Sequence, residues 1–121
     1  MSALAQTLIA VVALEHVLFL ILEMFLWDKP QGMKVFRNTP ERAAATKVLA
    51  ANQGLYNGFL AAGLAWSLAP FGAPDAAKSI ATFFLACVVL AGLYGAMSFS
   101  RRILWVQAAP AFVALVLVWV L

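Results

Sequence analysis

Glu15, His16 and Glu23 are the residues best suited to chemistry in this sequence, because they interrupt an otherwise largely apolar run from Leu4 to Leu26. On a helix that advances 100° per residue, Glu23 and Trp27 each lie about 20° from His16, while Glu15 stands about 80–100° away from that stripe. An imidazole with carboxyl groups nearby can relay protons or act as a general base with a carboxylic acid as its partner, since its own pKa lies near neutrality. His16, Glu15 and Glu23 are therefore the catalytic candidates. A metal site is not expected. Residues 16 and 23 are two turns apart, about 10 Å along the axis, too far to share one ion. The sequence holds one histidine, so a single chain cannot ligate a haem through two. It also lacks an HExxH zinc helix, a P-loop, a dinucleotide fingerprint and a nucleophile elbow. Cys87 lies inside an apolar run and reads as a small packed hydrophobe.

Amides and phenols form a second group of candidates. Asn52 and Tyr56 are four residues apart, as are Gln53 and Asn57, and Tyr94 and Ser98, so each pair shares a helix face. Gln107 stands alone. Each has a plainer role as interhelical glue or as a packed phenol with one hydrogen bond, and such bonds are individually modest in membranes, about 0.6 kcal/mol on average.

These residues have to be positioned by helices in lipid. The sequence is 65% hydrophobic and 11% charged, and a soluble domain carries about twice that charged fraction. Four apolar runs, about 4–26, 49–69, 79–99 and 103–121, each approach the ~20 residues that a crossing helix needs. Continuous rather than alternating hydrophobicity argues against strands. The first run has no basic segment before it and contains three ionisable residues, so it does not read as a signal peptide. Asp28-Lys29-Pro30-Gln31-Gly32 reads as the break after the first helix, and Thr39-Pro40 as a cap with proline at the first helical position. Pro110 predicts a kink in the fourth run. The expected fold is a single all-α domain, an antiparallel four-helix transmembrane bundle.

Charge sets the expected orientation. Lys29, Lys34, Arg37, Arg42 and Lys47 lie between the first two runs, and Arg101 and Arg102 between the last two; Lys78 alone lies on the other side. Positively charged loops stay cytoplasmic, so both termini are expected on the non-cytoplasmic side of a bacterial inner membrane. Trp27 and Trp105 would then mark the inner interface, and Trp66 and Trp119 the outer one. The formal charge of +3 is spread over loops and is no nucleic-acid signature. Counted from the middle of each run, Glu23, Asn52, Gln53, Tyr94 and Gln107 fall about 8–12 Å toward the cytoplasm. Asn57 and His16 fall nearer the midplane. Glu23, Asn52, Gln53, Tyr56, Asn57, Tyr94 and Gln107 are thus expected to line one polar site in the inner half. Gly54-xxx-Gly58-xxx-Ala62, Gly92 with Ala96, and Ala91 with Gly95 predict close helix contacts.

Several strings together carry a resemblance: Glu15-His16 with Glu23-Met24-Phe25 and Trp27; Ala51-Asn52-Gln53-Gly54-Leu55-Tyr56-Asn57-Gly58-Phe59-Leu60-Ala61; Ala91-Gly92-Leu93-Tyr94-Gly95; and Gln107-Ala108-Ala109-Pro110-Ala111. Across almost the whole chain the sequence resembles the bacterial membrane family known as domain of unknown function 1304. That resemblance implies a four-helix inner-membrane protein and implies no activity or cofactor. Length, span number and Glu15 are also similar to the small multidrug transporters, but the strong cation bias departs from dual-orientation members of that group. Three readings of function follow: binding or translocation of a small polar solute or proton; a membrane-embedded enzyme using His16 and a glutamate on a lipid-like or quinone-like molecule; or an accessory subunit. Four short spans enclose little volume, so a homo-oligomer is expected for any pathway.

Overall fold

The computed structural model describes residues 1–121, and most of them are helical. Helix α1 spans Ala3–Met24, α2 Pro30–Phe36, α3 Pro40–Leu68, α4 Ala77–Ser98 and α5 Ala109–Val120. A 3-10 turn, Pro74–Ala76, leads into α4, and a π-helical turn, Leu104–Ala108, leads into α5. Two helical segments, Ala3–Met24 and Pro74–Ser98, are long and apolar enough to cross a membrane, and the apolar stretch Leu104–Val120 is shorter. Helix α3 is the longest, at 29 residues, but Glu41, Arg42, Lys47 and the amides Asn52, Gln53 and Asn57 make it less apolar. By length and hydropathy, two helices rather than four meet the requirement unaided. They support association with a membrane.

The chain divides into two compact units: Met1–Leu14 with Leu60–Leu121, and Glu15–Phe59. In the first unit, the buried positions follow helical spacing. They are Ala5, Ile9 and Val12 on α1, Ala81, Leu85 and Val88 on α4, and Ala111, Ala114 and Val118 on α5, with Leu64 from α3. Apolar surface gives little drive for association in lipid, so close van der Waals packing has to hold such helices together. Glycines supply it. Gly63 lies flat against the Phe84 ring, leaving no room for a Cβ. A Cβ at Gly92 would stand 2.7 Å from the Ala108 backbone nitrogen, and one at Gly95 3.1 Å from Ile103 Cγ2. The tight face of α4 therefore runs through Gly92 and Gly95, whereas Ala91 is exposed.

The kink expected at Pro110 takes a specific form. Proline has no N–H, and its ring crowds the carbonyl four residues back. The preceding residues widen into the π turn, where the Ala109 N–H donates to the Leu104 carbonyl, five residues back. At the other end of the unit, Trp119 Nε1 donates to Thr82 Oγ1 at 2.8 Å, and the Lys78 ammonium sits 5.3 Å from the centre of the same indole.

The second unit is closed at one end by Trp27. Its Nε1 donates to Thr46 Oγ1 at 3.0 Å, and its ring centroid lies 4.9 Å from that of Phe36. Lys47 Nζ meets Asp28 Oδ2 at 2.9 Å. The Pro30–Gly32 string does not form the simple turn that its composition suggests. Pro30 is the first residue of α2, and Gly32 is buried inside that helix against the Leu26 carbonyl and Trp27 Cα, where any Cβ would overlap. The turn out of α2 falls to Arg37, which adopts the left-handed conformation (φ 52°), with Asn38 N donating to the Met33 carbonyl at 2.8 Å. Thr39 Oγ1 then accepts from Arg42 N at 3.3 Å, the N-cap that Thr39-Pro40 predicts.

Two outcomes follow. Gly92→Ala forces overpacking against the Ala108 backbone and should cost about 1–3 kcal/mol, read as a lower thermal midpoint in detergent, while Ala91→Leu leaves the midpoint unchanged. Equal midpoints would refute the close approach. The hydrogen bond from Lys47, aided by its charge and that of Lys29, holds the Asp28 carboxyl below the usual carboxylate range. A lowered folded-state value means that the pair's small contribution is complete above the ordinary carboxylate pKa and is lost as pH falls through the lowered one. Asp28→Asn should therefore remove a small acid-limb loss of thermal stability and leave stability at neutral pH nearly unchanged.

Candidate functional site

Within the second unit, α3 buries Ala43, Ala50, Gly54 and Asn57, positions that repeat at seven, four and three residues and so make one stripe. Helix α1 buries His16 and Glu23, seven residues apart on one face, at 0% and 3% exposure. The two stripes meet at Glu23. Asn57, 8% exposed, donates through Nδ2 to Glu23 Oε1 at 2.5 Å. Gly54 makes that approach possible. A Cβ there would stand 2.6 Å from Met24 Cγ, 3.1 Å from Glu23 Cβ and 3.2 Å from the Leu20 carbonyl oxygen. Gly58 repeats the arrangement at the next turn, where a Cβ would lie 2.7 Å from Leu20 Cδ1. Asn57 thus stands between Gly54, where α3 meets the α1 backbone, and Gly58, which faces the tip of the Leu20 side chain.

A buried carboxyl needs a hydrogen-bonding partner. Asparagine suits both of its protonation states. The amide NH₂ donates to a carboxylate, and the amide oxygen accepts from a carboxylic acid. The two groups can therefore stay hydrogen-bonded to each other in either protonation state. Two turns along the same face, His16 is fully buried and packs edge-to-face on Phe19, with centroids 5.4 Å apart. Glu15 is half-buried, and its Oε1 is enclosed without a hydrogen-bond partner.

Three of the remaining candidates do not join this pair. Asn52, Gln53 and Tyr56 are exposed. The reason is angular: Asn52 and Tyr56 stand about 160° around α3 from Gly54, and Gln53 about 100°. Tyr56 packs edge-to-face on Phe59, with centroids 5.6 Å apart. Tyr94 and Gln107 belong to the first unit. Tyr94 is 72% exposed, its carbonyl accepting from the Ser98 hydroxyl, and Gln107 is half-buried in the π turn. Of the seven residues expected to line one site, Glu23 and Asn57 are joined by a hydrogen bond. The small-residue stripe also differs, since Ala62 is exposed and Ala61 buried. Residue spacing alone does not show Gly54 as the seat of the Glu23 side chain. Its signal lies in the string itself, a glycine three residues before Asn57 and another immediately after it.

Residues 10–119 match the family described as "Protein of unknown function (DUF1304)", a range that contains His16, Glu23 and Asn57. Over 118 residues the chain is 30% identical to "Uncharacterized protein YpaA" of Lactococcus lactis subsp. lactis (strain IL1403), covering 96% of this chain and 97% of that protein. No solved structure matches.

Removing one partner of the pair should be worse than removing both. Asn57→Leu strands the Glu23 carboxyl and should destabilise the solubilised protein by about 1–3 kcal/mol, whereas Glu23→Leu with Asn57→Leu should recover most of that loss. A double variant no more stable than Asn57→Leu alone would show that the hydrogen bond is not what holds α1 to α3 here.

Proposed function

The chain belongs to the DUF1304 family, and from that premise we propose that it is a four-span inner-membrane protein that binds or moves a proton, or a small polar solute, at Glu23. One observation carries this reading: a carboxyl 3% exposed, on a helix long and apolar enough to cross a membrane, whose partner is the Asn57 amide. Ionisable groups at such depth are costly and are rarely retained without a role. His16, buried on the same face of α1, and Glu15, with its unpartnered oxygen, would pass the proton on.

In this reading α1, α3, α4 and the rod from the π turn through α5 form the antiparallel four-helix bundle. Helix α3 is about 44 Å long, which lets its basic first turns stand in the cytoplasm while the segment from Leu49 crosses. The seven-to-one distribution of Lys and Arg supports cytoplasmic loops after α1 and α4 and non-cytoplasmic termini. Exposed Asn52 and Gln53 on α3 favour a homo-oligomer in which a second copy covers them, because amides facing acyl chains lack partners.

The test is flux in proteoliposomes loaded with a pH-sensitive dye. The unmodified protein should dissipate an imposed pH gradient faster than protein-free vesicles. Glu23→Gln, which keeps an acceptor for Asn57, should abolish that difference without lowering the thermal midpoint, and Glu15→Gln should slow it. If Glu23→Gln conducts like the unmodified protein, the proton reading fails. If the midpoint drops and neither protein conducts, the pair is structural glue and the accessory reading stands.

A further inference from the structure

The junction between α4 and α5 has features that the Glu23 site does not use. An apolar groove of about 350 Å³ runs between Val89 and Leu93 of α4 and Leu104, Ala108, Ala109 and Phe112 of the π turn and α5. It exists because the small side chains of Ala108 and Ala109 leave space unfilled where Gly92 draws the backbones together. Leu93 and Phe112 stand on its rim, 42% and 57% exposed. Its mouth is basic. Arg101 and Arg102 are both exposed in the turn that joins the two helices, and Leu104 lies one helical turn beyond Arg101. From that level the groove extends away along both helices. Trp105, 72% exposed, sits in the π turn beside the arginines, where an amphipathic indole marks a headgroup boundary.

We propose that this groove and the Arg101–Arg102 pair together hold one anionic phospholipid, its acyl chain along Val89, Leu93, Ala109 and Phe112 and its phosphate on the two guanidinium groups. The two halves of the site match the two halves of that molecule. An all-apolar trough offers nothing to a polar solute but accepts methylenes, while guanidinium forks bind phosphate oxygens through paired hydrogen bonds. The charge bias that makes this turn cytoplasmic also places it at the leaflet with the negative surface potential, where basic pockets between membrane helices collect anionic headgroups. This site rests on the proposed orientation but not on Glu23, since no residue of that pair contributes.

The experiment uses the full chain in zwitterionic nanodiscs, titrated with phosphatidylglycerol or phosphatidylcholine brominated on the acyl chain. The quenching assigned to Trp105 is the fraction lost in Trp105→Phe. Phosphatidylglycerol should quench at the lower concentration. Arg101→Gln with Arg102→Gln should weaken it about 25-fold, about fivefold per arginine. Ala109→Leu, which fills the trough from a partly exposed position, should weaken quenching with the arginines intact; circular dichroism and the thermal midpoint check that both variants fold. Equal quenching by the two lipids, or phosphatidylglycerol quenching unmoved by the arginine pair, overturns the proposal. So does self-association lost in Ala109→Leu but insensitive to lipid, which would make the occupant a second copy of the chain.

Discussion

A carboxyl group withdrawn from water has to be answered by a hydrogen-bonding group brought to it, and the second unit is arranged around that demand. Glu23 cannot turn to solvent, so α3 delivers Asn57 to it. The delivery needs the two backbones closer than an ordinary side chain permits, which is why glycine stands at 54. The polar pair and Gly54 are therefore one device. The amide supplies the chemistry that tolerates either protonation state, and the missing Cβ supplies the distance.

The first unit uses the same means for another end. Its core is built from alanine, valine and leucine at three- and four-residue spacing and contains no ionisable group. Gly63, Gly92 and Gly95 again mark the points of closest approach. Here close packing meets a proline. Pro110 cannot donate, the preceding turn opens to a π turn, and the short side chains of Ala108 and Ala109 there line the apolar trough against Val89 and Leu93.

The cap of the second unit shows how loops are settled by local chemistry. Trp27, Phe36 and Thr46 pack and bond at the end of α1, while Lys47 and Asp28 pair at the surface. Exposed ion pairs contribute little to stability. The positional work falls to Gly32, whose bare Cα lets α2 fold back onto the Leu26–Trp27 backbone.

By itself, the amino-acid sequence determined the helical class, the apolar runs, the Thr39-Pro40 cap and the family, because those depend on periodicity, local sterics and strings of residues. It also put His16 and Glu23 on one face of α1, which follows from a seven-residue interval. Counting along each apolar run gives an expected depth, but depth is one coordinate. Which way Asn52, Gln53 and Tyr56 point depends on the stripe through which α3 packs, and that stripe is chosen by Ala50, Gly54 and Asn57 against a neighbour that the sequence of α3 does not contain. Tertiary structure alone therefore decided that Asn57, and not Asn52, answers Glu23, that Pro30 opens a helix instead of ending one, and that Pro110 yields a π turn. In each case several local conformations were compatible with the residues, and the close approach of another backbone selected one.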